Sequence, residues 1–487
     1  MTDLEPHRII ENTAAYAAGN IFSRLFDILT IFLLARYLGV VDFGKFSFAL
    51  AYVGLFSVVI DLGFNLILVR ELSKSPERGA RLYGSGVSLN FVFAGLGALA
   101  AVGSILVLRY PPEIKVLVAL ASLNLFVSFR MPSFKDVFEV PLVAGLKLKY
   151  SAAAAAANRI LTLPVMVGAM LLKAPLGLLV LIYALVSLPS FLLLLHYSRA
   201  VVRPAFRAEW PDWLFLFKEG LPLGLAGILA IVYAQADTLL ISKFWTMKEV
   251  SFYSAARRVM EPLQLLPAAF GLSILPVISE MFVRRKDEIV RVYRKSLLYI
   301  LLLALPIAAF LFCFSRPVVT LLFGADFREA ARALALLSFS LPFVFISHMS
   351  AVVFIAVHKQ KTAAFIWLAA LSLYFSLDFV FIPRQAYVGA SGVRLATAVL
   401  VSVLSVVWVV RYLGPMDLGF LAGLGLLAAP LMAGARLLFD SPVRSFLFFI
   451  VLFTAGLFAF RIVRGADVRL LGRSLRRLLG RPGRERR

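Results

Sequence analysis

An all-α membrane protein is the fold class that this sequence predicts, and three observations predict it. Hydrophobic residues make up 61% of the chain and charged residues only 16%, with a mean hydropathy of +0.91. A water-soluble core has no room for that much apolar side chain, whereas a bundle facing lipid requires it. The apolar residues also run on without interruption for about 20 positions at a time, the length a helix needs to cross roughly 30 Å of hydrocarbon. Those runs are continuous rather than alternating, which excludes the spanning strands of a barrel.

Taken in order, the chain divides into about fourteen spans separated by short connections. Spans at roughly 12–37 and 43–69 are followed by Arg70, Lys74, Arg78 and Arg81. Spans at roughly 82–108 and 114–139 are followed by Lys147 and Lys149, with Lys135 at the end of the second. Spans at roughly 148–172 and 176–198 lead through Arg199, Arg203 and Arg207 into a linker, Arg203 to Trp213, rich in Trp and Pro. Spans at roughly 213–242 and 249–276 precede Arg284, Arg285, Lys286, Arg291, Arg294 and Lys295. Spans at roughly 293–314 and 330–357 precede Lys359 and Lys361, and those at roughly 361–383 and 388–411 end at Arg411. Two further spans, at roughly 416–437 and 443–463, complete the set. The even-numbered connections thus carry 19 basic residues against 13 in the odd-numbered ones, and nine arginines follow Arg461. By the positive-inside rule both termini are expected in the cytoplasm.

The net charge of +23 needs no nucleic acid, because the excess lies in connections and tail beside anionic headgroups. In the tail, Val468, Leu471, Leu475 and Leu478 recur at helical spacing with Arg469, Arg473, Arg476 and Arg477 between them. That pattern predicts a helix lying on the inner leaflet, with a disordered tail as the alternative. No cleavable leader is expected, since Asp3, Glu5 and Glu11 precede the first run. The single cysteine, Cys313, excludes an internal disulfide, and four scattered histidines (His7, His196, His348, His358) argue against a metal centre. No cofactor is expected. The alanine run Ala152 to Ala157 predicts close helix contact.

A weak internal repeat is present. The stretch Arg36 to Ala49 aligns without gaps to Lys243 to Ala256, matching Asp42 to Glu249, Gly44 to Ser251 and Phe46 to Tyr253. This predicts two six-helix lobes, residues 1–200 and 201–412, with helices 13 and 14 (413–463) and the basic tail (464–487) appended. A parallel duplication of this kind puts a binding site between its halves. Gly39 to Lys45 has phosphate-loop spacing, but Phe46 stands where a hydroxyl must hold magnesium, and the string lies between two spans. ATP hydrolysis is therefore not expected.

An ionisable side chain at membrane depth costs about 3 kcal/mol on insertion scales, so it faces a partner or a cavity. Arg24 and Asp27 share a helical face, toward which Asn12 and Asn20 also lean; they read either as a self-satisfied pair or as a polar cavity wall. In the eighth span Arg257, Arg258, Glu261 and Gln264 form a counterpart. Pairing of Arg258 with Glu261 would leave Arg257 for a ligand. Arg130, Arg159 and Arg394 lie in other spans, and together the arginines point to a cationic cavity suited to diphosphates, which guanidinium groups bind through paired oxygens. Asp61, Asp237 and Asp378 read as carriers of a coupling cation or as counter-ions of nearby arginines. Tyr16 and Tyr233 read as sugar-stacking rings or as packing. Lys135, Asp136 and Glu139 close the fourth span beside Pro132 and Pro141, and Pro164, Pro222, Pro267, Pro276, Pro306 and Pro342 invite kinks.

Arg36-Tyr-Leu-Gly-x-x-Asp-Phe-Gly-Lys-Phe, Asp61-Leu-Gly and Arg70-Glu71 resemble the polysaccharide-transporter, or O-antigen flippase, family, as does Lys248-Glu-Val-Ser-Phe-Tyr-Ser-Ala-Ala-Arg-Arg with Pro276. That family shares a superfamily with multidrug exporters and the lipid II flippase. The resemblance implies a non-enzymatic carrier in the cytoplasmic membrane that moves a polyprenyl-pyrophosphate-linked glycan by alternating access. Membrane lipids and glycan-assembly enzymes would be its partners. It also implies cavity arginines in the first and eighth helices, where Arg24, Arg257 and Arg258 stand. Two other functions stay open: a drug exporter of the same superfamily, which a cationic cavity disfavours for cationic cargo, and a membrane glycosyltransferase, for which no Asp-x-Asp motif is present.

Overall fold

The structure is a computed structural model describing residues 6–60, 62–203, 206–284, 288–416, 419–439 and 441–459. Side chains are described from residue 24 onward, except at scattered positions, most of them between 422 and 437. Asn12, Tyr16 and Asn20 as side chains, Asp61, and the tail 464–487 lie outside the described residues.

Helices follow one another throughout: α1 (Pro6–Phe56), α2 (Phe64–Lys74), α3 (Pro76–Val107), α4 (Pro112–Ala121), α5 (Asn124–Val127), α6 (Val140–Ala144), α7 (Leu148–Leu171), α8 (Leu176–Leu185) and α9 (Leu188–Arg199). They continue as α10 (Trp210–Phe244), α11 (Met247–Met260), α12 (Leu265–Arg284), α13 (Ile289–Cys313), α14 (Ser315–Phe323), α15 (Ala330–Ala356), α16 (Gln360–Leu413), α17 (Gly419–Leu438) and α18 (Pro442–Ala459). Leu99, Leu172, Leu321 and Phe365 are each more than two-thirds exposed, whereas Ser85, Asn90, Asn124, Asn158, Thr162, Asp237 and Asp378 are buried. Large apolar side chains turned outward with polar ones turned inward is the arrangement that lipid favours and water penalises. The all-α membrane fold is thus the one observed.

The number of crossings differs from the expected fourteen. Among the described residues eight helices are long and apolar enough to cross a membrane, or nine if Arg24–Val59 and Phe64–Lys74, bent by 45°, are one span. Four causes account for the difference, the first being that the expected first and second spans run together in the 51-residue α1, which continues as the bent pair with α2. The expected eleventh and twelfth spans fuse into the 54-residue α16, broken at Ala386, where φ is 49°. The last two helices are short, with apolar stretches Gly419–Met432 and Pro442–Leu457. The fourth span is not one helix: α4 and α5 give way to a non-helical stretch at 128–133, then to a 3₁₀ stretch at Phe134–Glu139.

Pro132 explains that break. It removes a backbone donor and disfavours helical geometry in the residue before it. The freed backbone is taken up by serines: Ser128 Oγ accepts from the Arg130 N–H at 3.0 Å, and Ser133 Oγ donates to the Ser128 carbonyl at 2.8 Å. Ser133 and Asp136 then form a capping box that starts the 3₁₀ stretch. Lys135, buried, pairs with Glu139 at 2.8 Å and with Asp136. Non-helical backbone at membrane depth is tolerated where protein covers it, and Ser128 and Ser133 are both fully buried.

The chain forms two compact units. One comprises Met1–Arg258, Val319–Ala330 and Phe375–Ala390; the other comprises Val259–Val318, Ala331–Tyr374 and Ser391–Arg487. In the first unit both copies of the repeat fold as a helix–turn–helix broken at the aligned point. Gly39 breaks α1 with φ 70°, while Trp245 and Thr246 separate α10 from α11. The turns meet: a Cβ on Gly44 would lie 1.8 Å from the Met247 carbonyl oxygen, so only glycine permits the approach. Arg36 donates to the carbonyls of Leu321 and Leu322, capping the negative end of α14. The turn before α2 is seated equally closely. Gly63 has φ 88°, and Cβ atoms on Gly220 and Gly224, a small-xxx-small pair on α10, would come within 3.0 Å and 2.5 Å of the Leu62 carbonyl oxygen.

The linker entering α10 is fastened to α3. The Arg207 N–H donates to Gly84 at 3.4 Å, Ser85 donates to Asp212 at 2.9 Å, and Trp213 Nε1 donates to the Ser85 carbonyl at 3.0 Å. Arg81 pairs with Glu209 and Arg70 with Glu219 at 3.2 Å. In the second unit, Tyr293 and Ser350 share a buried hydrogen bond of 2.6 Å, and α17 and α18 pack against α13.

Candidate functional site

The arginines at depth do not act alone. Asp27, on the inward face of α1, lies between two of them. Its Oδ1 is 3.2 Å from Arg130 Nη2 and its Oδ2 is 3.1 Å from Arg159 Nε. Of the two readings left open for Arg24 and Asp27, the contacts of Asp27 run to other segments rather than to Arg24, which is exposed. A carboxylate on a helix face is reachable from any neighbouring segment, and two guanidinium groups outcompete one.

Each arginine reaches Asp27 for a local reason. Arg130 stands in the non-helical stretch, where loss of helical geometry frees its side chain to point across toward α1. Its Nη2 also donates to Thr162 Oγ1 at 2.6 Å, and its guanidinium carbon lies 4.4 Å from the centroid of the Tyr183 ring, a stacked cation–π contact. Thr162 Oγ1 in turn donates to the Asn158 carbonyl at 2.7 Å. Asn158 donates to Ser187 at 3.0 Å, joining α7 to the junction of α8 and α9. Arg159 rises from α7, which packs along α1. The result is a half-buried cluster with side-chain exposures of 26% for Asp27, 15% for Arg130 and 12% for Arg159. Two cations and one anion leave it a net positive charge.

The second group sits on the α10–α11 hairpin. Arg257 donates to the Ala234 carbonyl rather than standing free, and Tyr253 donates to the buried carboxylate of Asp237. Both contacts bridge the two helices, so the polar residues here fasten the hairpin as well as line it. Arg258, half-buried, follows at the end of α11, just before the 3₁₀ break at Glu261–Gln264. Asp378 is fully buried in α16, and Arg394 lies half-buried in the other unit. Arg130 and Arg159 are thus brought together, on Asp27. Arg257 and Asp237 are neighbours across one hairpin. Asn20 and Asp61 lie outside the described residues.

Three residues of the first cluster carry no role in the sequence reading: Asp27 as the hub, Thr162 and Tyr183. Asn158-Arg159-x-x-Thr162, polar positions one and four apart in an otherwise apolar span, was the available signal for Thr162. Tyr183, among apolar neighbours, offered none.

Comparison with known proteins agrees with this architecture. A family model described as "Polysaccharide biosynthesis protein" matches residues 33–332. A protein of Shigella flexneri with the curated name "Putative O-antigen transporter" is 24% identical over 399 residues, 79% of this chain and 93% of the relative. Among solved structures, the lipid II flippase MurJ in an inward closed conformation superposes with a TM-score of 0.74 at 15% identity, over 93% of this chain and 100% of that one. An inward-facing multidrug resistance transporter of the MATE family gives a TM-score of 0.59 at 14% identity, over 79% and 94%. The fold is therefore that of these transporters, and, with more than half its length matched by the family model, the chain belongs to the polysaccharide biosynthesis protein family.

Proposed function

We propose that this protein is a flippase that carries a polyprenyl-pyrophosphate-linked oligosaccharide across the cytoplasmic membrane by alternating access, without catalysing a covalent step. The observation that carries this reading is a cluster of net positive charge, Asp27 with Arg130 and Arg159, held inside apolar spans of a chain from a polysaccharide-biosynthesis family. The barrier to flipping is the cost of taking phosphates and sugar hydroxyls through hydrocarbon, several kcal/mol for each polar group left unpaired. Guanidinium groups at depth lower that cost for the phosphates while the lipid tail stays in the bilayer.

In this reading Arg24, Arg130, Arg159, Arg257 and Arg258 engage the pyrophosphate, with Asn20 beside them. Asp61, Asp237 and Asp378 are the candidates for coupling to a cation gradient. The repeat halves, 1–200 and 201–412, move against each other, residues 413–463 are an appendage, and the basic tail 464–487 rests on the inner leaflet with both termini cytoplasmic. Glycan-assembly enzymes that make the lipid-linked substrate are the expected neighbours. The deciding experiment is reconstitution in liposomes with labelled lipid-linked oligosaccharide, scoring leaflet exposure with and without an ion gradient. Protein-dependent exposure is expected, and its absence in correctly inserted protein would refute the reading.

One observation favours a second reading: the multidrug transporters share the fold. Net positive charge at depth repels cationic drugs, so drug resistance on overexpression is not expected, and its appearance would reverse the preference.

A further inference from the structure

Asp27 is the residue that a simple cationic cavity leaves unexplained. A carboxylate set between two arginines neutralises part of the charge that a phosphate would need. Yet it does not satisfy Arg130. A well-matched arginine–carboxylate pair is bidentate, whereas Asp27 gives one oxygen to Arg130 at 3.2 Å and the other to Arg159 at 3.1 Å. Arg130 spends Nη2 on both Asp27 and Thr162. Its Nε and Nη1 are buried and meet no acceptor among the described residues. Donors left in that condition are costly. Meanwhile Tyr183 beneath, Thr162 beside and the serine-braced segment 128–133 behind hold the guanidinium plane in one place. Arg130 is thus fixed in place, cationic and short of acceptor oxygens among the described residues.

We propose that Asp27 is a resident counter-ion that a diphosphate displaces, making it the residue that sets how strongly an anion must bind to enter the cluster. The proposal rests on the transport reading for the source of the diphosphate. A bilayer presents monophosphate headgroups in great excess, and bare arginines at depth would bind them. Asp27 opposes any incoming anion through like-charge repulsion at a few ångströms. A single phosphate offers little more than the carboxylate it must replace. A diphosphate carries more charge and more acceptor oxygens, enough to meet Arg159 and the unserved N–H groups of Arg130 at once. The built-in competitor lowers affinity for both classes, so that only the stronger binder, the diphosphate, holds the cluster against abundant headgroups. Displacement also releases α1 from α7 and from the 128–133 segment, so occupancy and helix position are linked by the differential contacts that any ligand-driven change requires.

The test measures binding of farnesyl pyrophosphate and farnesyl monophosphate to the purified full-length protein in detergent. Wild type should prefer the pyrophosphate. Asp27→Asn should bind both probes more tightly, by about tenfold or more for a competing charge removed at this distance, and the gain for the pyrophosphate, which carries the greater charge, should be at least that for the monophosphate. A folded Asp27→Asn protein that binds neither probe more tightly overturns the proposal. If unbalanced arginines prevent that variant from folding, the charge-balanced Asp27→Asn/Arg159→Gln protein is compared with Arg159→Gln: tighter pyrophosphate binding in the double variant supports the proposal, and equal or weaker binding refutes it. The liposome assay separates the two ideas. Flipping by wild type with unchanged probe binding in Asp27→Asn removes the exchange and keeps the transport reading; absent flipping with the altered binding does the reverse.

Discussion

Arg130 touches a carboxylate, a hydroxyl and an aromatic face, and each contact makes a different demand on its neighbours. Removing the hydroxyl by Thr162→Val leaves a charged donor without one partner, at a cost of about 1.5–3 kcal/mol. The expected outcome is a lower unfolding temperature in detergent together with slower flipping in liposomes; an unchanged melting profile would show that Thr162 contributes nothing to the cluster. At the other hairpin, Tyr253→Phe withdraws a donor from the buried Asp237 at a cost of about 1–3 kcal/mol, read by the same thermal measurement. Arg130 and Arg159 were legible from sequence because a charge inside an apolar run is expensive and so carries information. Asp27 was visible, read with Arg24 either as a self-satisfied pair or as a cavity wall, but its partners were not, since helical spacing gives only the local neighbour and not the segment that arrives from elsewhere in the chain. Thr162 left only the faint signal of a polar residue four positions from Asn158, and Tyr183 left none, because neutral polar and aromatic residues cost little in a span.

Among elements, the broken fourth span matters most. Its residues read as one apolar run, yet Pro132 and the serines around it favour a turn, and that turn is what aims Arg130 at α1. Hydropathy averages over about 20 residues and cannot resolve a six-residue interruption. The glycine contacts yield sharper predictions. Gly44→Val and Gly224→Leu place side chains where backbone already lies, at 1.8 Å and 2.3 Å for the Cβ alone, so each should abolish recovery of folded protein from membranes. Wild-type yield of either variant would show that the two helices can part without penalty. Ala386 is the opposite case. It holds φ at 49°, a region that costs a non-glycine residue about 1–3 kcal/mol. Ala386→Gly is therefore expected to be neutral or stabilising despite lying within a long helix, and a drop in unfolding temperature would contradict the strain.

For the molecule as a whole, composition and run length sufficed for the class: no soluble architecture accommodates such hydropathy, and continuous runs allow only helices. The number of crossings was less accessible, because fused, short and broken helices all read as ordinary spans. The turn motifs Arg36 to Phe46 and Lys248 to Arg258 carried the family, and the first of them includes Gly44, whose close approach to Met247 restricts residue type. The clasp that ties Arg207, Asp212 and Trp213 to Gly84 and Ser85 bears on how the polypeptide holds together. With α10 anchored to α3 by its own hydrogen bonds, peptide continuity just upstream becomes dispensable. A chain severed between Val202 and Arg207, by an inserted protease site or by producing the pieces from two genes, should still migrate as one species on a native gel. Combined with Trp213→Ala and Asp212→Ala, the same cut should let the fragments drift apart.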